Sequence, residues 1–325
     1  MNCSLLLGAT LMLAGGATTI DLQAHRGGRG LSPENTLAAF AAALSLGVTT
    51  LELDTGITRD GVVVISHDPV LNPDIVRGPD GKWLREKGPA IYSLTFSELQ
   101  QYELGRIDPA SKYATRFPAQ KAVDGMRFPR LSDLFALVRK SGNDQVRFNI
   151  ETKIDPTEPG QTLPPDAFIR ALVDLIRRED MARRVTIQSF DWRALLIAQM
   201  IAPEMPTVYL SAQQKFFDNI LAGKSEDSPW TAGFQYRQYG SIPKMVKAAG
   251  GAVWSPYFGD VTVGLVKEAH GLGLKVVVWT VNEAAQMNRM LDLGVDGIIS
   301  DRPDILRTVM AQRKLGLPAA TPVAP

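Results

Sequence analysis

Sulfur and imidazole are both scarce in this chain. Of its 325 residues only Cys3 is a cysteine, and only His25, His67 and His270 are histidines. One cysteine excludes an intramolecular disulfide and any thiolate zinc site, which needs several sulfurs. No two histidines fall in an HxH or HExxH spacing, so the pattern of a zinc hydrolase is missing as well. A metal bound here must be held mainly by oxygen. Excess charge of one sign is also lacking. Lys and Arg total 35 against 34 Asp and Glu, and no run of five like charges occurs. Nucleic-acid binders carry basic stripes, so the expected partner is a small molecule and not nucleic acid.

Long hydrophobic runs are absent too. The apolar stretch at residues 4–17 is too short to span a membrane. It has the shape of a secretory h-region ending in small residues, with Ala17 a plausible last residue. Residues 1–17 are therefore expected to be a signal peptide, which makes the protein periplasmic or secreted, without stable membrane insertion. No Lys or Arg precedes the run, unlike most signal peptides. A cytoplasmic protein is the expectation if the segment is not a signal. Oligomeric state is not legible.

What is present is alternation. Short apolar strands are expected at 20–25, 49–54, 146–152, 184–188, 206–210, 252–255, 275–279 and 297–300. Amphipathic helices are expected at 34–46, 131–140, 166–179, 191–201, 261–271 and 283–293. Ser32 offers a cap for the first helix, with Pro33 at its first position. Strands alternating with helices imply parallel pairing, and eight of them imply closure: an α/β fold, a parallel (β/α)8 TIM-type barrel. The barrel domain should span 18–313, with a Pro- and Gly-rich insertion at 68–130 after the second strand. Residues 211–240, rich in aromatics, read either as a second lid or as packing over the barrel. A Pro/Ala tail at 314–325 should be disordered.

The chemistry begins at Leu51-Glu52-Leu53-Asp54. Side chains alternate along a strand, so Glu52 and Asp54 share one face and the leucines the other. Leucines against the helices leave two carboxylates pointing inward, where they are costly to desolvate without a cation. Glu151 and Lys153 share a face in the same way. Three acidic oxygens from neighbouring strand ends suit one hard divalent ion, Ca²⁺ or Mg²⁺; ion pairing with Lys153 or Arg26 is the bland alternative. Asp60-Gly61 signals a two-residue hairpin turn. Counting outward sets His67 opposite Asp54, with Cα atoms roughly 4.5–5.5 Å apart. His25 closes the first strand beside the same rim, and Arg26 offers a fork of donors for phosphate oxygens. The glycines after it are not a dinucleotide fingerprint, since Pro33 takes the third glycine position. Gly223-Lys224-Ser225 is not a P-loop, since Asp218 takes its first glycine, and no GxSxG elbow is present. Two imidazoles, three carboxylates, an Arg and a Lys on one rim suit acid–base attack on a phosphodiester.

These segments resemble the glycerophosphodiester phosphodiesterase family over nearly all of residues 21–309. The likeness is carried by His25-Arg26-Gly27, Pro33-Glu34-Asn35-Thr36, Glu52-Leu53-Asp54, Asp60-Gly61, His67-Asp68, Glu151-Thr152-Lys153, Gln188-Ser189-Phe190, Trp279-Thr280-Val281-Asn282 and the Gly294–Asp301 run with Pro303. Arg302 between Asp301 and Pro303 is a minor departure. The resemblance implies hydrolysis of glycerophosphodiesters to an alcohol and glycerol 3-phosphate. It implies Glu52, Asp54 and Glu151 as metal ligands, with His25 and His67 as base and acid. It makes Arg26 and Lys153 phosphate holders, Gln188 a residue facing the site, and Trp279 a wall for the glycerol. Glu34 and Asn35 read either as supports behind the site or as a helix start, the latter preferred, Asp296 and Asp301 as loop anchors, and His270 as a surface or capping residue. Which histidine is the base, and whether the glycerol 2-hydroxyl or water attacks, stays open. Two competitors remain: a phospholipase D-like enzyme acting on lysophospholipids, and a non-catalytic binder of phosphoglycerol groups.

Overall fold

The structure, a computed structural model, describes residues 19–325; the expected signal peptide at 1–17 lies outside the described residues. Eight parallel strands close a barrel: β1 (Asp21–Ala24), β2 (Thr50–Ile57), β4 (Arg147–Thr152), β5 (Val185–Ser189), β6 (Thr207–Ser211), β9 (Val253–Pro256), β10 (Lys275–Val278) and β11 (Gly297–Ser300). Neighbours pair in chain order, and β1 pairs with both β2 and β11, which leaves no open edge. Helices α3 (Leu131–Lys140), α4 (Pro165–Arg178), α5 (Trp192–Ile201), α7 (Ile242–Ala248), α8 (Val263–Gly271), α9 (Ala284–Leu293) and α10 (Pro303–Gln312) join the outer ring begun by α1 (Leu37–Leu46). The periodicity of α3 shows why. Leu131, Leu134, Phe135 and Val138 fall at i, i+3, i+4 and i+7, and all four are fully buried against the sheet.

The barrel interior is divided. Leu22, Leu51, Leu53, Phe148, Ile150 and Ile187 turn outward into the helix-facing core, as strict alternation requires. The inward side chains of β6, β9, β10 and β11 pack apolar, with Val208, Val253, Val277 and Ile299 forming their own cluster. Those of β1, β2, β4 and β5 are polar: Gln23, Glu52, Asp54, Asn149, Glu151 and Gln188 are all buried. The acidic and carboxamide interior is thus confined to one half of the barrel.

Three expectations need correction. The hairpin from β2 to β3 (Val63–Ile65) pairs Ile57 with Val63 and Thr55 with Ile65. Asp54 therefore faces Ser66, whose N–H donates to its carbonyl at 3.0 Å, and not His67. The turn holds three residues instead of two: Gly61 N–H donates to Thr58 O, and Gly61 sits at φ 80°. That is a type I turn closed by a left-handed glycine, which adds one residue and shifts the register by one. The first helix begins at Leu37, not 34. Thr36 caps it by accepting from Ala39 N–H, while Asn35 adopts a left-handed φ of 56° outside it. The 314–325 segment is not loose. Thr321 N–H donates to Leu44 O, Asn143 donates to Thr321 Oγ1, Arg307 donates to Pro318 O, and Leu315 and Val323 pack on the core. Enough polar and apolar contact is available to offset the entropy that composition alone suggested.

Between β3 and α3 the chain runs through turns and the one-turn helix α2 (Phe96–Leu99) around a small core of its own, Val64, Leu71, Val76, Ile91, Leu99, Leu104 and Phe128. After β6 come a short ladder of β7 (Gln213–Gln214) with β8 (Phe217–Asp218) and the one-turn helix α6 (Tyr236–Tyr239). Neither α7 nor α10 was among the expected helices. Among the described residues no helix is long and apolar enough to cross a membrane.

Candidate active site

Glu52, Asp54 and Glu151 meet at the C-terminal rim because β2 and β4 lie side by side with Glu52 opposite Asn149 and Asp54 opposite Glu151. One oxygen from each lies within 4.8 Å of the others, and all three residues are buried. Donors hold the outer edges of the cluster. Arg26 N–H reaches Glu52 Oε2 at 2.9 Å, Gln188 Nε2 reaches Glu52 Oε1 at 2.6 Å, Asn35 Nδ2 reaches Asp54 Oδ2 at 3.0 Å and Lys153 Nζ reaches Glu151 Oε1 at 2.7 Å. Among the described residues, Asp54 Oδ1 is buried with no hydrogen-bond donor on it. These acids and Glu34 outnumber Lys153 and Arg26 by two charges. An orphaned carboxylate oxygen and a local deficit of two positive charges fit one divalent cation, for which the oxygen donors are of the right class.

The titrations carry the same signature. Burial, then repulsion from Asp54 and Glu151, pushes Glu52 well above the ordinary carboxylate range. Burial, with Asp54 adding to it against Lys153, raises Glu151 to about 7. Asp54 moves the other way: burial would raise it, but His67, Arg26 and Lys153 together outweigh that and hold it low. Burial and mutual repulsion raise Glu52 and Glu151 despite Lys153 and Arg26, so the positive charge present is insufficient for the cluster.

The histidines flank the cluster, each on a carboxylate. His25 sits in the turn His25–Gly27 after β1. Its Nδ1 lies 2.6 Å from Asp301 Oδ1 and its Nε2 4.0 Å from Glu52 Oε2. Burial, then the charge of Arg29, lowers it to about 4 against the pull of Asp301. His67 Nδ1 lies 2.9 Å from Asp68 Oδ1; burial, with Arg26 and Lys153, lowers it as well. Although not opposite Asp54 in register, His67 lines the same cavity of about 120 Å³ as His25, Arg26, Glu52, Glu151, Lys153, Gln188 and Trp279. All nine residues singled out in the sequence therefore gather at one place, Asp54 through its cluster with Glu52 and Glu151.

The turn after β1 explains how. Arg26 has a left-handed φ of 52°, which aims its amide at Glu52. Gly27 follows at φ 80°, and a Cβ there would lie 2.8 Å from Ala39 Cβ, so the turn rests directly on α1. The Arg26 guanidinium reaches Glu34 at 2.6 Å and Asp54 at 3.4 Å. Glu34 in turn accepts from Tyr113 OH at 2.5 Å.

Several residues at the site were read otherwise or passed over in the sequence. Glu34 and Asn35, expected as a helix start, hold Arg26 and Asp54. Asp301 orients His25 and is itself held by Arg29 Nε at 2.7 Å and Asn282 Nδ2 at 2.8 Å. Arg29 lines the cavity, and Asp68 backs His67. Asp296 does anchor a loop, accepting from Val276 N–H and pairing with the exposed His270 at 2.9 Å, far from the site. Gln188 contacts a metal-ligand candidate, Glu52, directly. Trp279 joins an aromatic run: its ring centroid is 5.4 Å from Phe190 and 5.6 Å from Tyr257, and Tyr257 is 5.4 Å from the exposed Phe216.

A parallel barrel with buried carboxylates, imidazoles and guanidinium groups at its C-terminal rim carries the groups that hydrolysis of a charged ester requires. The sequence profile of the glycerophosphoryl diester phosphodiesterase family matches residues 25–305. A glycerophosphodiester phosphodiesterase of Caldanaerobacter subterraneus subsp. tengcongensis is 28% identical over 283 residues, covering 87% of this chain and 94% of that one. A crystal structure from Silicibacter pomeroyi assigned to the same class superposes with a TM-score of 0.82 at 35% identity, covering 93% of this chain and 96% of the other. An Oleispira antarctica phosphodiesterase, solved in complex with the product sn-glycerol-3-phosphate, shares the fold with a TM-score of 0.63 at 23% identity, over 89% and 96% of the two chains. The chain belongs to the glycerophosphoryl diester phosphodiesterase family and is an enzyme of that class.

Proposed function

We propose that the chain hydrolyses small glycerophosphodiesters to an alcohol and glycerol 3-phosphate by acid–base catalysis between His25 and His67, with one divalent cation, Ca²⁺ or Mg²⁺, on Glu52, Asp54 and Glu151. The observation that carries this is the convergence of three buried acids, one with an orphaned oxygen, between two carboxylate-backed imidazoles. When bound, the cation would supply Lewis-acid neutralisation of a non-bridging phosphate oxygen.

The protein's own groups supply the rest. Arg26, buried, and Lys153, partly buried, present fixed positive charge to the phosphate, and Arg29 adds a third cation on the same wall. Asp301 accepts a hydrogen bond from His25 Nδ1–H, so Nε2 faces the cavity as an acceptor, and the lowered pKa of His25 keeps it neutral at pH 7. His25 is then the base that removes the proton of the attacking hydroxyl. His67 is the acid that returns a proton to the departing alkoxide; Asp68 and Asp54 favour its imidazolium form against burial, Arg26 and Lys153, which on balance lower its pKa until negative charge develops on the substrate. Trp279, Phe190, Leu210 and Ile299 give the glycerol an apolar wall. Whether water or the glycerol 2-hydroxyl attacks is read from the stereochemistry at a chiral phosphorus, inversion for one displacement and retention for two.

The test is glycerol 3-phosphate release from glycerophosphocholine, glycerophosphoethanolamine and glycerophosphoglycerol, with chelator and then with Mg²⁺ or Ca²⁺ restored. Full rates in excess EDTA would reject the cation; no release from any diester would favour a phosphoglycerol binder. A second reading, lysophospholipids as substrate, is favoured by the aromatic run from Trp279 through Tyr257 to Phe216, which extends beyond the reach of a glycerol. Turnover of lysophosphatidylcholine above that of glycerophosphocholine would establish it. The proposed location is the periplasm or the exterior, carried by the sequence of residues 1–17. N-terminal sequencing of secreted protein tests it.

A further inference from the structure

Below Glu52 a chain of carboxamides crosses the barrel. Gln188, which donates to Glu52 Oε1 at 2.6 Å, accepts at its own Oε1 from Asn149 Nδ2 at 2.9 Å. Asn149 Nδ2 also donates to Gln23 Oε1 at 2.9 Å, and Gln23 Nε2 donates to Asp21 Oδ2 at 3.0 Å. Asn149 Oδ1 accepts from Thr186 Oγ1 at 2.9 Å. The chain ends at the lower mouth, where Asp21 also holds Arg147 and a cavity of about 460 Å³ opens. Gln23, Asn149 and Gln188 are at most 4% exposed, and of the three only Gln188 does not line that cavity.

With the cation bound and Glu52 ionised, the polarity of this chain has one solution. An ionised carboxylate only accepts, and an amide donates at one end and accepts at the other. Asp21 at one end therefore turns the NH₂ of Gln23 toward itself and its carbonyl toward Asn149. Glu52 at the other end turns the NH₂ of Gln188 toward itself and the carbonyl of Gln188 toward Asn149. Two carbonyls thus converge on position 149, and only a side chain with two N–H groups on one atom satisfies both. Asn149 is the point where the polarity reverses.

We propose that Asn149 is a positioning residue for the cation: by fixing the direction of Gln188 it fixes which way the Glu52 carboxylate faces. The proposal rests on the reading that Glu52, Asp54 and Glu151 bind a divalent ion. In Asn149→Asp the residue loses both donors while keeping its volume. Gln188 then turns to donate downward and presents its carbonyl to Glu52, which repels the carboxylate and rotates it out of the cluster.

The test is calorimetric titration of chelator-treated protein with Mg²⁺ and with Ca²⁺, alongside turnover at saturating cation. Outer-shell partners typically set metal affinity by 10–100-fold, so Asn149→Asp should weaken cation binding by about that factor. Turnover should return to within a few-fold of wild type once cation is saturating, which general structural damage would not allow. Unchanged affinity in a folded Asn149→Asp protein, or turnover that stays lost at saturation, would overturn the proposal. If Asn149→Asp does not fold, Asn149→Leu removes the same two donors without adding a buried charge and is held to the same outcomes. Wild-type protein that takes up neither cation would remove the metal reading itself and the proposal with it. That result is distinct from wild-type binding matched by the variant.

Discussion

Asp301 shows how one side chain sets the state of another. Its Oδ1 receives His25 Nδ1 and Arg29 Nε, and its Oδ2 receives Asn282 Nδ2, so every contact on it is a donor. In Asp301→Asn the new NH₂ must face one of those donors, and His25 loses the partner that keeps Nε2 free as an acceptor. Turnover should fall by ~10²–10⁴-fold, the range for an acid–base group, with KM changed much less; steady-state kinetics on a soluble diester check it. A comparable loss is expected for His25→Ala itself, and equal rates for Asp301→Asn and wild type would show that the pair does not work this way. Local pattern made the residue types visible but not this link. Glu52, Asp54 and Glu151 are legible because period-two alternation and parallel pairing put them on one face. Asp301 meets His25 only because β11 closes against β1, a contact spanning 276 positions that no local periodicity records. Asn149 shares the inward face of Glu151, yet its role depends on partners from β1 and β5.

At the scale of elements, the turn after β1 and the insertion are the parts that aim the cations. Gly27 combines φ 80° with an approach to Ala39 that leaves no room for a Cβ. Gly27→Ala should destabilise by about 2–4 kcal/mol, left-handed strain adding to overpacking. It should also weaken substrate binding, because the Arg26 amide shifts off Glu52; denaturant unfolding with KM measurement tests both. The insertion contributes Tyr113, whose hydroxyl donates to Glu34 and accepts from Arg29 at 3.0 Å. Tyr113→Phe removes about 1–1.5 kcal/mol of hydrogen bonding. KM should therefore rise by roughly 5–10-fold at nearly constant kcat, and a drop confined to kcat would contradict the positioning role. Ser32-Pro33-Glu34-Asn35 misleads a sequence reader for a physical reason. It has the composition of a helix cap, but a left-handed Asn35 ends the turn before the helix starts and turns its amide to Asp54. The hairpin register slips for a similar reason: Asp-Gly fits both a two-residue turn and the last two places of a three-residue one.

For the whole molecule the question is what holds three repelling acids in a fold that need not contain them. The outer core supplies the stability; the cluster draws on it. Alternation and strand count were enough to make the barrel legible, since both follow from burying one face of each strand. The ordering of 314–325 was not, because it depends on a surface that only the assembled barrel offers. Removing the cation should then leave secondary structure intact by circular dichroism while lowering the melting temperature. A ligand at 100 times its Kd adds about 2.7 kcal/mol, which for a domain of this size corresponds to roughly 5 °C. The gain must grow with pH, and the sign follows from the protons. Cation-free Glu151, raised to about 7, carries a proton through the mildly acidic range, and Glu52 is raised in the same direction. Binding expels that proton, so affinity falls by up to ~10-fold for each pH unit below 7 per proton released. His25 runs against no part of this, since a pKa of about 4 leaves it mostly neutral across the range in which Glu151 titrates. The melting-temperature increment from Mg²⁺ or Ca²⁺ should accordingly be small at pH 5, large by pH 8, and lost at every pH in Glu151→Gln. A cation effect equal at pH 5 and pH 8 would mean that these carboxylates do not release protons to a metal.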